Sequence, residues 1–335
     1  MSLIPTDDIQ LRRALGEWPS VGRTPDPATL LRRAEYHGLG GVIADALESG
    51  GLVIDERVRF REAAREVDHA AHLGILRKLD EACVDGGLDA VVLKGALFAE
   101  RFYPRPAARV TGDIDLLVRE VDLELARRVL LSIGYVPVEG AVEERFRREH
   151  FHLHYRHANA IPVELHFHAY RGFGGVLRSE ELLERSVAVR DFRALHVLDE
   201  SDELVYLAVH AAAHKFGRWS WLFDLRLLIE TLSPETLVLA RERAHQQGFA
   251  RPLALAGSML VSIMGMPPTR VRALGELGAL RAACLVRLLR TPRFRALGSA
   301  SRLAYTTTLC PDARSSVKWL GRELMRRWRS IQLDA

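Results

Sequence analysis

The sequence predicts an α+β protein, with a small strand-containing centre between N-terminal helices and a larger C-terminal helical region. Three observations predict it. Leu88–Leu93 and Val110–Val118 are apolar runs of strand length, while the segments around them carry apolar residues at helical spacing. Residues 88 to 138 read strand, helix, strand, helix, strand, which is an α/β unit. From Ser201 onward helical periodicity returns and persists. The predicted division is a helical buttress over 1–87, an α/β core over 88–198, and a helical domain with a basic tail over 199–335. No linker-like stretch follows Val84, so the first helices are read as part of the same body as the core.

At 335 residues the chain can bury one large core or two smaller ones. No stretch approaches the roughly 20 uninterrupted apolar residues of a membrane-spanning helix. Met1–Gln10 carries Asp7 and Asp8 and no apolar centre, so no secretory signal is expected. Cys83, Cys284 and Cys310 are few and widely spaced, which argues against a disulfide scaffold or a cysteine zinc site and for a cytoplasmic location. The net charge of +4 is uneven: Arg281 to Ala335 holds 12 Lys/Arg against 3 Asp/Glu, leaving the first 280 residues at −5. A basic end can meet an anionic partner, or can be an Arg-rich run on solvated helix faces.

In chain order, Ile9, Leu11 and Leu15 form a short amphipathic piece, and Pro25-Asp26-Pro27 marks a helix start. Gly38 to Gly41 and Gly50-Gly51 are expected to interrupt the helices. Asp55 to Val84 reads as one long helix whose Val67, Ala70, Ala71, Leu73, Ile75, Leu76 and Leu79 form a packing stripe, ended by Gly86-Gly87. After the strand Leu88–Leu93, Lys94-Gly95 turns into a helix over Ala96 to Phe102. A helix start behind a glycine presents free backbone N–H groups that suit phosphate, and Lys94 adds a point charge. Arg109 precedes the run Val110–Val118, in which Asp113 and Asp115 project from one face of the predicted strand. Two carboxylates side by side repel unless a cation lies between them. A helix over Val121 to Ile133 and a strand at Gly134 to Val138 follow.

His150–Tyr155 and Val163–His168 both alternate, with Ala158-Asn159-Ala160 as the turn between them. Paired as a hairpin with an odd-numbered loop, they set His154 opposite Glu164 and His152 opposite His166. Such a cluster can bind a transition metal, line a polar active-site face, or bind phosphate when protonated. The C-terminal helices are predicted at Asp202 to Phe216, Trp219 to Leu232, Pro234 to Gln247, Pro252 to Met264, Arg270 to Leu289 and Asp312 to Ile331. The first carries His210 and His214 at i, i+4, the second carries Asp224, and the last is basic and bears Trp319 and Trp328.

Taken together, Leu93-Lys94-Gly95, Tyr103-Pro104, Arg109, Asp113 to Val118, Gly134-Tyr135, His150 to His154, Glu164 to His166, His210, His214 and Asp224-Leu225 resemble a known pattern. They look like the bacterial family of uncharacterised nucleotidyltransferases, within the DNA polymerase β-like superfamily. The resemblance runs from about residue 88 to about 260. It implies a small mixed sheet of the polymerase β-like core. It also implies an enzyme that moves an NMP from an NTP, ATP among them, to a hydroxyl or phosphate. The implied acceptor is a small molecule, sugar or peptide, as in natural-product tailoring. The alternatives are a toxin-like enzyme acting on RNA or protein, which the basic tail would serve, and a non-catalytic nucleotide-binding module, against which the acidic triad argues.

Site roles follow from the same resemblance. Asp113, Asp115 and Glu164 would be the catalytic carboxylates and the ligands of two Mg²⁺ ions, or of Mn²⁺ in their place. Lys94, Gly95, Ala96 and Arg109 would hold the nucleotide. His152, His154, His166, His210, His214 and Asp224 would lie on the acceptor side or just behind it. The chain departs from the wider superfamily in having Gly95-Ala96 where Gly-Gly or Gly-Ser is usual, Glu164 for an Asp, and a longer loop before Asp113.

Overall fold

The computed structural model of the chain describes residues 27–51, 54–138, 150–289 and 299–321. The piece around Ile9, Leu11 and Leu15, and Trp328 with the end of the basic tail, lie outside these residues.

Helix α1 (Pro27–Tyr36) opens on a proline, whose missing N–H costs nothing in a first turn. Helix α2 (Gly40–Ser49) contains Gly40 and Gly41, which were expected to break the pattern. Gly41 instead serves packing: a Cβ there would come within 2.7 Å of the Ala108 Cα. Helix α3 (Glu56–Gly86) is capped by Asp55, which accepts from the Val58 N–H at 2.9 Å, and it ends at Gly87 with φ 68°. The predicted stripe on α3 is only half used. Leu76, Leu79 and Cys83 are buried, whereas Val67 is 69% exposed. Only the second half of α3 lies on the core; the first half presents Glu62 and Glu66 to Arg105.

The central sheet has seven strands: β1 (Ala90–Val92), β2 (Ile114–Leu117), β3 (Val136–Pro137), β4 (His152–His157), β5 (Ala160–His166), β8 (Val187–Ala188) and β9 (Leu195–Val197). Their order is β3-β4-β5-β2-β1-β9-β8. It is mixed: β2 runs parallel to β5 and antiparallel to β1, and β1 runs parallel to β9. Helix α4 (Ala96–Phe102) links β1 towards β2, and α5 (Leu123–Ser132) follows β2. The hairpin register matches the expectation, with His152 opposite His166 and His154 opposite Glu164.

Alternation divides the sheet into two faces. Val92, Ile114, Leu116, Leu153, Tyr155, Val163 and Leu165 pack with Leu76, Leu79 and Cys83 of α3 and with Ala126, Val129 and Leu130 of α5. On the other face Val91, Leu93 and Leu117 join the larger core of the helical half. The rest of that face is polar and carries Asp115, Glu164, His152, His154 and His166.

A hairpin of β6 (His168–Gly172) and β7 (Gly175–Arg178) and the short helix α6 (Ser179–Glu184) were not anticipated. The helical half begins with α7 (Glu200–Ala213), α8 (Trp219–Thr231), α9 (Pro234–Gln246) and α10 (Ala250–Met259), the last continued by a π-helical turn. The helix predicted over Arg270 to Leu289 is broken into α11 (Pro268–Val271), a 3-10 turn, and α12 (Ala279–Leu289). Gly275 and Gly278 break it, at φ 95° and 48°. Helix α13 (Ser299–Leu309) completes the series, and residues 313 to 321 begin the predicted tail helix. Among the described residues no helix is long and apolar enough to cross a membrane.

Buried charges tie the two halves together. Arg109 donates to Asp224 from Nε at 3.0 Å and from Nη2 at 2.9 Å, and the Tyr103 hydroxyl donates to the same carboxylate at 2.7 Å. Nearby, Arg101 donates to Glu203 at 3.1 Å. Burial raises the Glu203 carboxyl to about 7 and outweighs the opposing pull of Arg101. A carboxyl whose folded pKa lies above its unfolded value of 4.5 binds its proton more tightly when folded. Its contribution to stability is complete below pH 4.5 and is lost as pH rises to 7. Glu203→Gln is therefore expected to gain up to about 3 kcal/mol relative to the parent between pH 5 and pH 8. Urea unfolding at the two pH values checks this, and a pH-independent difference would refute it.

Candidate active site

The two aspartates stand at the entrance of β2. Thr111, Gly112 and Asp113 precede the strand, and Asp115 is its second residue. Because β2 and β5 are parallel and in register, Asp115 sits directly beside Glu164. The antiparallel hairpin then adds His154 and, two residues along, the His152–His166 pair. Side chains from three neighbouring strands thus share one face, although Glu164 lies 49 residues beyond Asp115 in sequence.

Lys94 follows β1 and approaches from the other side. Its ammonium donates to Asp113 at 2.8 Å and forms an ion pair with Asp115. It occupies the position between two carboxylates where a cation was expected, and stands in for one. The turn that places it needs glycine, since Gly95 has φ 88°.

The charges alternate along the row. Burial alone would push the Lys94 ammonium down, but Asp115 and Asp113 outweigh it and hold its pKa above the ordinary value. Burial would raise the Asp115 carboxyl, yet Lys94 and His166 hold it well below the carboxylate range. His166 lies 3.1 Å from Asp115 and 3.5 Å from Glu164, and although burial opposes its charge the two carboxylates hold it at about 9. The hydrogen bond to His166 in turn lowers Glu164. Next in line, burial and the His166 charge push His152 down to about 3, so it is neutral.

These residues line a cleft of about 360 Å³. Its opposite wall comes from the C-terminal end of α7 and the start of α8. His210 and His214 pack ring to ring at 4.7 Å, and both pack against Trp221 at 5.4 and 5.1 Å. Burial, followed by the Lys94 charge, holds both histidines below their ordinary pKa. His214 lies just past the end of α7, not inside the predicted helix.

The predicted site residues are therefore only partly gathered. Asp113, Asp115, Glu164, Lys94, His152, His166, His210 and His214 all line the cleft. Gly95, Ala96 and His154 are not among its lining residues, and Ala96 is buried. Arg109 reaches the cleft, but its guanidinium is engaged by Asp224, which is buried behind it. Tyr206, Arg218, Ser220 and Trp221 also line the cleft and were not singled out as site residues. Of these, Trp221 lies among the aromatic residues Trp219, Trp221 and Phe223, and no local pattern marks the other three.

The donor set fits a hard divalent cation. Asp113, Asp115 and Glu164 offer carboxylate oxygens at the floor of an accessible cleft. Asp115, Glu164 and His166 lie close enough to share an ion, while Asp113 joins them through Lys94. Lys94→Ala removes the counter-charge of a buried aspartate and is expected to cost about 3 kcal/mol without metal. Added Mg²⁺ should return more stability to this variant than it adds to the parent. Thermal unfolding with and without Mg²⁺ checks this; equal responses would exclude these carboxylates as the ligands.

A family model described as "Uncharacterised nucleotidyltransferase" matches residues 23–265. The match takes in α1 to α3, well before the span over which the motifs carry the resemblance. No curated protein and no solved structure matches the chain. By the extent of that match, the chain belongs to the family of uncharacterised nucleotidyltransferases, enzymes of phosphorus-group transfer.

Proposed function

We propose that the protein transfers a nucleotidyl group from a nucleoside triphosphate, ATP being one candidate, to a hydroxyl on a small molecule, sugar or peptide. The observation that carries this reading is the registered Asp115–Glu164 pair on parallel strands, with Lys94 beside it at the floor of the cleft. In this chemistry the acceptor oxygen forms a bond to the α-phosphorus, the bond to the β,γ-diphosphate breaks, and pyrophosphate leaves. Asp113, Asp115 and Glu164 are proposed to hold Mg²⁺, as two ions, or Mn²⁺. Bound there, the metal would lower the pKa of the acceptor hydroxyl and offset charge on the phosphate oxygens.

The chain's own groups supply the rest. Glu164, partly exposed to the cleft, is the proposed acceptor of the hydroxyl proton. Lys94 leaves the aspartates for the phosphate oxygens, where its compact charge is effective. Gly95 sets the turn that aims it. Arg109, held by Asp224, contributes positive potential from behind the cleft, not a direct grip. His210, His214 and Trp221 form the wall on which the acceptor would rest. The three cysteines fit a cytoplasmic enzyme.

A second reading keeps the chemistry and changes the acceptor to RNA. The +9 charge of residues 281–335 favours it.

The test is incubation of the full chain with labelled nucleoside triphosphates, Mg²⁺ and candidate acceptors. Pyrophosphate release with transfer of label is expected. Asp113→Ala, at a half-exposed position, and Asp115→Asn should each lower release by about 10³-fold. Undiminished activity in both variants would sink the mechanism. Transfer of label to tRNA, lost at high salt, would favour the second reading.

A further inference from the structure

We propose that the β4–β5 hairpin carries a separate metal site, built by His152, His154 and Glu164, for a borderline transition ion of the Zn²⁺ class. It goes beyond the nucleotidyl-transfer reading and shares only Glu164 with the site proposed there.

His152 and His154 alternate along β4 and so share a face, and β5 places Glu164 directly opposite His154. The Nε2 atoms of the two histidines are 3.2 Å apart. His152 Nε2 lies 3.9 Å from Glu164 Oε2, and His154 Nε2 lies 3.9 Å from Glu164 Oε1. An ion with Zn–N distances of about 2.0–2.1 Å in tetrahedral coordination separates its ligand atoms by roughly 3.3 Å. The histidine pair already has that spacing, and the carboxylate needs only a small side-chain rotation to reach it.

The rings converge rather than stack. His152 and His154 meet edge to face, at 87° with centroids 4.7 Å apart, and a ligand atom of each lies within 4.8 Å of the other and of a Glu164 oxygen. Packing holds His152 in this pose. It stacks on His166 at 4.9 Å and 29° and stands edge-on to Phe151 at 4.7 Å. Oriented ligands of this kind raise metal affinity because little ordering remains to be done on binding.

The donor set sorts this site from the aspartate site. Two imidazoles and one carboxylate with a further position open is a known zinc set, whereas Mg²⁺ prefers oxygen ligands alone. His154 is 40% exposed and Glu164 28%, so an ion can reach the site from solvent. Glu164 sits between the two positions, since Oε2 is also 3.5 Å from His166. Oε1, nearer His154, is the oxygen free to serve the hairpin ion while Oε2 faces His166. No familiar zinc spacing exists in the sequence because the ligands come from paired strands, not from one short segment.

The experiment uses the metal-stripped full chain with Co²⁺ and Zn²⁺ as probes. Bound metal is measured by equilibrium dialysis, and Co²⁺ geometry by visible absorption. The expected result is one Co²⁺ per chain with the strong absorption of low coordination number, displaced by Zn²⁺ but retained in excess Mg²⁺. His154→Ala, at a half-exposed position, should weaken binding by about 10-fold or more, and His152→Ala likewise, with circular dichroism confirming the fold. Asp113→Ala should bind as the parent does. Binding unchanged by both histidine variants, loss of Co²⁺ in excess Mg²⁺, or its loss in Asp113→Ala would each overturn the site. Pyrophosphate release with Mg²⁺ alone reports the nucleotidyl-transfer reading separately, so failure of one leaves the other standing.

Discussion

The strand that carries Asp115 is approached through a buried pair between Arg109 and Asp224. Arg109 lies four residues before Asp113, and Asp224 is on a helix of the C-terminal half. The Tyr103 hydroxyl shares the same carboxylate, so the loop between α4 and β2 is fixed near both ends. Arg105, between them, is bound by Asp45, Glu62 and Glu66 of the N-terminal helices. Buried pairs of this kind add little net stability, because desolvation offsets their attraction. They do penalise any arrangement that leaves one charge alone. The lead-in to Asp113 and Asp115 is therefore specified by residues far away on either side in sequence. That gives a physical reason for a family match reaching back to residue 23: the first helices hold part of the loop that places the site.

The sheet does two jobs with one alternation. Its inner face is closed by α3 and α5, and aliphatic residues fill it. Its outer face changes character along its width, from Val91, Leu93 and Leu117 under the helical half to a polar row on β2, β5 and β4. That row survives burial because its signs alternate: ammonium, carboxylate, imidazolium, carboxylate. Each member is stabilised by its neighbours at close range in a poorly screened setting. Removing one leaves the next uncompensated, so these residues function as a unit.

Much of this was legible in the sequence, and the parts that were not have identifiable causes. Strict alternation in His150–Tyr155 and Val163–His168 put the polar side chains on one face; the pairs expected for an odd-numbered loop do form, although Ala160 belongs to the strand and a bulge between Tyr155 and His157 restores the register. The caps of α3, Asp55 and Gly87, carry their own local signal. The hairpin from His168 to Arg178 was missed because Arg171-Gly172-Phe173-Gly174-Gly175 shows no alternation, and Phe173 adopts a positive φ that its side chain does not advertise. Gly275 and Gly278 were visible as breakers and should have divided the helix predicted across them. Asp224 drew notice only as a motif residue. Its partner is 115 positions away, and no local pattern records such a pairing. The same holds for Lys94, whose choice of the aspartates over open cleft depends on a loop whose path only the fold determines.

Lys94 bears on what the resting cleft accepts. Tethered beside Asp113 and Asp115, its ammonium acts at a high effective concentration against any bare divalent ion, which must displace it without compensation. Under the proposed chemistry a metal–nucleotide complex meets a different balance, because it brings phosphate oxygens to which the released ammonium can move. The lysine would then filter incoming ligands, opposing free metal and admitting metal that arrives with its nucleotide. Until the full substrate is present, the one ammonium would keep its place between the two aspartates.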